Sequence, residues 1–230
     1  MSPWYALLMV AGIGASAVMW RRIQGDRPAL LAAYFGGLVG ALVGAKVGFV
    51  VAELPWLLQR PDAWHEVLYG KTILGGLFGG YAGVELGKKI VGHREATGDV
   101  FARIIPVGLV AGRLGCALHG CCLGTQVREH WWAMHDAEGV PRVPSTVIEA
   151  LFHLACTATA WRLERRGVLR GQLFHAYLVA YGLFRFVTEF WRDTPRFGFG
   201  LSPYQLLAVA LAAFAAWRFR VRALAPRASS

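Results

Sequence analysis

The segment 112–124, GRLGCALHGCCLG, gathers an arginine, a histidine and three of the chain's four cysteines at the end of an apolar run. Arg113 offers a planar fork that matches a phosphate or carboxylate in two-point fashion. His119 carries an imidazole, the side-chain type suited to proton transfer at physiological pH, and is a candidate proton carrier. The thiols of Cys116, Cys121 and Cys122 have several roles open to them. They can pack as small apolar groups, or join as a disulfide, Cys116 with Cys121 or Cys122. One can also act as a reactive thiolate whose pKa is lowered by Arg113 or His119. The spacing C-x2-H-x-C-C is unlike zinc-binding patterns and adjacent cysteines chelate poorly, so the sequence predicts no metal.

Three further charges stand inside apolar stretches: Lys46, Arg185 and Glu189. A central Arg or Lys costs about 2.5–3.5 kcal/mol on insertion scales, so such a residue faces a cavity, a partner or a substrate. Arg185 and Glu189 are four apart, share a helix face and can pair. That leaves Arg113 and Lys46 without a local acidic partner, since the nearest candidate, Glu85, falls on the cytoplasmic side by the distribution of charge. Unpaired cations of this kind call for an anion, and a lipid phosphate is the obvious one. Among the remaining histidines, His175 reads as a packing residue, and His65, His93, His130 and His135 read as loop residues.

The elements that hold these groups are long and apolar. The chain is 56% hydrophobic and 17% charged over 230 residues. Its apolar residues come in blocks of about twenty, the length that crosses roughly 30 Å of hydrocarbon. Seven such segments are predicted: 4–20, 29–52, 72–92, 99–119, 145–161, 171–191 and 200–217. The expected fold is all-α integral membrane, one polytopic domain over 1–230 with seven transmembrane helices.

The net charge of +10 does not read as a nucleic-acid footprint, because of where it falls. Arg21, Arg22 and Arg27 follow the first segment; Lys88, Lys89 and Arg94 follow the third. Arg162, Arg165, Arg166 and Arg170 follow the fifth, and Arg218, Arg220, Arg222 and Arg227 lie in the tail. If every segment spans, these fourteen of the twenty-four basic residues share one side. The positive-inside rule then places the N-terminus outside and the C-terminus in the cytoplasm. The first block carries its basic residues after the apolar stretch, the reverse of a cleavable signal.

The second and third segments carry small residues at four-residue spacing: Gly36, Gly40, Gly44 and Gly48, then Gly75, Gly76, Gly79, Gly80 and Gly83. This spacing predicts close backbone packing in a bilayer. Loop 122–144 is the longest on the outward side, and Trp131–Trp132 suits the headgroup interface.

At this point the sequence resembles the prolipoprotein diacylglyceryl transferase family. GLVAGRLGCALHGCCLG resembles the family's signature GRxGNFxNGExxG, and TILGGLFGG resembles SFHGGLxG. YGLFRFVTEFWRD resembles YGxxRFxxEFxRxPD, which puts Arg185, Glu189 and Arg192 on family positions. GGLVGALVGAKVGFV resembles the second-helix segment, with a basic residue at the Lys46 position. LSPYQLL resembles an SxxQ segment through Ser202 and Gln205.

The resemblance implies a bacterial inner-membrane transferase, multi-pass, with its site facing the outer leaflet. It would move a diacylglyceryl group from an anionic phospholipid such as phosphatidylglycerol to an acceptor such as a lipoprotein cysteine thiol, releasing glycerol phosphate. Arg113, Arg185 and Glu189 are the implied catalytic residues, and His119, which is not a family residue, is the candidate catalytic base in place of the missing histidine. Lys46, Gly75, Gly76, Gly115, Tyr181, Arg192 and Gln205 are implied in substrate binding, and no cofactor is implied. The departures are specific. Leu74 replaces the histidine of the HGG segment, Cys116 and His119 replace two asparagines, and Cys121 replaces a glutamate. They leave open a different, non-lipoprotein acceptor, or a membrane thiol-redox protein using the cysteine cluster.

Overall fold

The computed structural model of the chain describes residues 3–24, 28–60 and 64–224. Arg27 and Arg227, counted above among the basic residues, lie outside them. The described residues are mostly helical. The helices are α1 (Pro3–Gln24), α2 (Pro28–Leu57), α3 (Trp64–Tyr69), α4 (Ile73–Ile90), α5 (Gly98–Leu118), α6 (Ser145–Arg165), α7 (Leu173–Thr188) and α8 (Pro203–Leu224). A 3-10 turn, Glu189–Trp191, extends α7, and a small hairpin pairs β1 (Met134–His135) with β2 (Pro141–Arg142). Seven of these helices fall on the seven apolar segments. Periodicity missed α3, which contains His65, and the hairpin inside the long loop. Among the described residues, two helices, spanning Leu30–Leu57 and Gly98–Leu118, are long and apolar enough to cross a membrane.

The chain forms two compact units. The first comprises Met1–Gly25, Ala96–Tyr177 and Phe190–Asp193; the second comprises Asp26–Glu95, Leu178–Glu189 and Thr194–Ser230.

In the first unit, α5 packs against α1 and α6. Trp20 is buried and its ring lies 4.9 Å from that of Phe101. Polar groups lock the ends of these helices. Asp99, in the first turn of α5, accepts hydrogen bonds from the backbone N–H of Gly171 (2.5 Å) and Leu173 (3.1 Å). One carboxylate thereby caps the start of α7 while sitting at the N-terminus of α5, where negative charge is favoured. Arg103 pairs with Glu164 at 2.8 Å and ties α5 to α6.

In the second unit, α2 and α4 pack along the glycine stripe. A Cβ added at Gly40 would lie 2.2 Å from the carbonyl oxygen of Gly79, and one at Gly44 would lie 2.4 Å from that of Gly75. Gly36 faces Gly83 in the same way, at 2.4 Å. The two backbones touch directly, as small residues at this spacing allow. Gly76 stands off the seam, its nearest neighbour being 3.5 Å away.

Candidate functional site

The first unit holds a buried cluster around Glu149. Glu149 sits one turn into α6 and is 2% exposed. Its Oε2 lies 3.0 Å from Nε of Arg113 and 3.8 Å from Nη1 of Arg192. On its other oxygen, Oε1, it faces Nε2 of His153 at 3.9 Å, and Nδ1 of His153 meets the hydroxyl of Tyr177 at 3.1 Å. The expectation that Arg113 lacks an acidic partner is therefore corrected. The sequence carried the signal, a carboxylate inside the apolar segment 145–161, and the rule that singles out Arg113 applies equally to it.

Backbone geometry explains how two guanidiniums reach one carboxylate. Arg113 projects from α5 across to α6. Arg192 comes from the strip after the 3-10 turn, and the N–H of Thr125 donates to the carbonyl of Trp191 at 2.8 Å to hold that strip. Gly124 permits the approach: a Cβ there would lie 2.3 Å from the Trp191 oxygen. This is the last glycine of the 112–124 segment, and its role is close backbone contact.

The hairpin beyond it is fixed by one carboxylate. Asp136 accepts from Nε of Arg142 at 2.5 Å and from the N–H of Val140 at 2.8 Å. The Arg142 hydrogen bond holds the Asp136 carboxyl below its usual range. Trp131 is 96% exposed at the start of this hairpin, so its indole is presented outward rather than packed.

The cysteines are all free thiols. Cys116 is buried on the last turn of α5, Cys121 is half-buried and Cys122 is exposed. A hydrogen bond with Cys116 lowers the Cys122 thiol to about 5, and Arg113 and Arg192 act in the same direction. His119 caps the C-terminal end of α5 and is exposed. Gly115 is buried in the same helix.

The second unit holds the other charged pair. Arg185 and Glu189 form an ion pair between the last turn of α7 and the 3-10 turn. Glu189 is fully buried, and its Oε1 accepts from Thr194 Oγ1 (2.7 Å) and Ser202 Oγ (3.0 Å). Arg196 donates to the Glu189 carbonyl at 3.1 Å. These bonds to Oε1 fix the Glu189 carboxylate, whose Oε2 faces Arg185. Gln205 is also used internally: its Nε2 donates to the Phe186 carbonyl (3.2 Å) and its Oε1 accepts from the Ser202 N–H (2.9 Å). Tyr181 is fully buried.

Lys46 is satisfied by backbone carbonyls, in place of the anion expected for it. Its ammonium donates to the carbonyls of Val67 (2.6 Å) and Leu68, near the C-terminal end of α3. A cation at a helix C-terminus satisfies orphan carbonyls and the helix dipole together. Gly75 lies on the α2–α4 seam, and Leu74, beside it, is fully buried.

The family model for prolipoprotein diacylglyceryl transferase matches residues 3–221. A phosphatidylglycerol–prolipoprotein diacylglyceryl transferase of Solidesulfovibrio magneticus is 30% identical over 96% of this chain and 90% of its own length. Enzymes of the same name from Bordetella parapertussis and Geobacter sulfurreducens are 28% and 29% identical, over 90% and 83% of this chain and 85% and 77% of their own lengths. The match runs through both units, including the helices that carry Arg113, Glu149 and Arg185, and the chain belongs to the prolipoprotein diacylglyceryl transferase family.

Proposed function

We propose that the chain transfers the diacylglyceryl group of phosphatidylglycerol to the cysteine thiol of a prolipoprotein, as a multi-pass enzyme of the bacterial inner membrane. The observation that carries this reading is the convergence of Arg113 and Arg192 on Glu149. Two guanidiniums and one carboxylate have a formal charge of +1, in side chains that are 11%, 13% and 3% exposed. A cluster of that sign, shielded from water, suits a phosphodiester.

In the reaction the thiol sulfur attacks the glyceryl carbon that carries the phosphodiester, and a carbon–sulfur bond forms. The carbon–oxygen bond to phosphate breaks, and its electron pair leaves on glycerol phosphate. The thiol proton ends on the phosphate or on solvent. Negative charge grows on the departing phosphate, and preorganised guanidiniums stabilise it without reorganising. Arg113 and Arg192 are assigned to the phosphodiester. Arg185 is assigned to the same reaction by its family position, with Glu189 as the group that orients it. The glycine stripe is assigned to helix packing.

The seven long helices and the alternation of basic loops support seven spans with the N-terminus outside and the site toward the outer leaflet. The exposed Trp131 supports a hairpin lying at the headgroup level. The test is direct. Purified protein with labelled phosphatidylglycerol and a lipobox peptide should yield peptide heavier by one diacylglyceryl group, and no such product from a peptide with serine in place of cysteine. Absence of product with active, folded protein sinks this acceptor.

A further inference from the structure

The three thiols at the end of α5 form a group that the transfer reaction, as derived above, does not use. The Sγ atoms of Cys116, Cys121 and Cys122 all lie within 4.8 Å of one another. Their spacing in sequence gives no hint of this, because the chain folds back at that point. The helix stops at Leu118, Gly120 turns with φ +67°, and Cys122 follows with φ +60°. The N–H of Cys121 donates to the carbonyl of Cys116 at 3.1 Å and closes the turn. A left-handed conformation is costly for a residue with a Cβ, and such outliers gather at functional sites.

We propose that Cys116, Cys121 and Cys122 form a three-thiolate site for a thiophilic divalent cation of the zinc class, whose fourth position takes the acceptor's cysteine thiol. Zinc–sulfur bonds of about 2.3 Å in a tetrahedron place sulfurs roughly 3.8 Å apart, so the cluster needs to draw in by no more than about 1 Å. Three protein ligands and one exchangeable position are the arrangement of catalytic zinc. The burial gradient from Cys116 to the exposed Cys122 gives the cation and the thiol an approach from solvent.

The fourth position rests on the acceptor being a thiol, as proposed above. A metal-bound thiol is deprotonated outright. Its proton is released on binding, and the departing phosphate monoester takes one up, so protons balance. A metal-held thiolate needs no separate general base, which accounts for the fully buried Leu74 at the position where the family has histidine.

The test uses the full chain, purified in detergent without chelators, one portion without reductant for thiol counting and one under mild reductant for metal binding. Mass spectrometry of metals should find about one zinc per chain. Cobalt(II) should bind in its place with thiolate-to-metal charge-transfer and tetrahedral d–d bands. Cys116→Ser, Cys121→Ser and Cys122→Ser should each abolish those bands, whereas Cys156→Ser should keep them. Far-UV helicity and melting temperature identify any variant that has merely unfolded, and the exposed Cys122 is the variant least open to that objection. A lipobox peptide should shift the d–d bands, and its serine counterpart should not. Two thiols lost to a disulfide before reduction overturn the site. Four alkylatable thiols without cobalt bands overturn it too. Bands blind to the peptide, or full turnover by metal-free protein, overturn the role of the fourth position. Cobalt bands need no turnover, so an intact metal site in a chain that makes no lipidated peptide counts against the proposed function and not against the site.

Discussion

Arg113 reaches Glu149 at 3.0 Å, and Arg192 faces the same carboxylate from 3.8 Å. Removing one arginine therefore has two separable effects. Arg113→Ala and Arg185→Ala should each cost about 2.7–4 kcal/mol of transition-state stabilisation, a hundredfold or more in rate. Arg113→Lys should rescue poorly, because an ammonium keeps the charge and loses the fork. Arg113→Ala also strands part of a buried carboxylate, and breaking a buried pair costs about 3–5 kcal/mol of stability. The double variant Arg113→Ala/Glu149→Gln should regain melting temperature while staying inactive in the labelled-lipid assay. Near-normal turnover in either single alanine variant would make these arginines structural and put the chemistry elsewhere.

Among the elements, the α2–α4 pair is the most constrained. Gly40→Ala or Gly79→Ala puts a methyl into backbone, 2.2 or 2.1 Å from a carbonyl oxygen. Overpacking costs about 1–3 kcal/mol, and direct backbone contact puts these variants at the upper end. Gly76→Ala, with its nearest contact at 3.5 Å, should be close to neutral. Melting temperatures of the three in one detergent check this, and equal losses would mean the stripe is not the seam. The hairpin behaves differently, since it depends on one ionised group. Asp136 has its carboxyl lowered by Arg142, so its contribution is present above the unfolded value of about 3.9 and lost as pH falls through the folded one. Tryptophan fluorescence of the 131–132 pair should change below about pH 4. At neutral pH, Asp136→Asn should speed amide exchange at Val140, and unchanged protection there would show that the turn holds without the charge.

For the whole chain, charge distribution gives the sharpest prediction. Tags at residue 230 and within 162–170 should be cytoplasmic, and a tag within 130–138 should be external, as the positive-inside rule requires. Residue 230 lies outside the described residues, but the tag reports only which side it is on. With the four native cysteines replaced by serine, labelling of an Arg165→Cys variant in intact cells by an impermeant thiol reagent would overturn this arrangement. Loss of all external reactivity at 130–138 would overturn it equally.

Much was determined by the sequence alone, through signals that are local. Blocks of about twenty apolar residues located all seven long helices, because helix length and hydropathy are properties of consecutive residues. Glycines at four-residue spacing located the α2–α4 seam, and the i, i+4 spacing of Arg185 and Glu189 located their pair. What required tertiary structure was every partnership between distant segments. Glu149 is thirty-six positions from Arg113, and only the packing of α6 on α5 makes it the counter-ion. Lys46 finds carbonyls rather than an acid because a short helix, invisible to hydrophobic periodicity, ends beside it. The three thiols meet because two residues take left-handed backbone conformations, and side-chain chemistry in the sequence does not encode φ at Cys122.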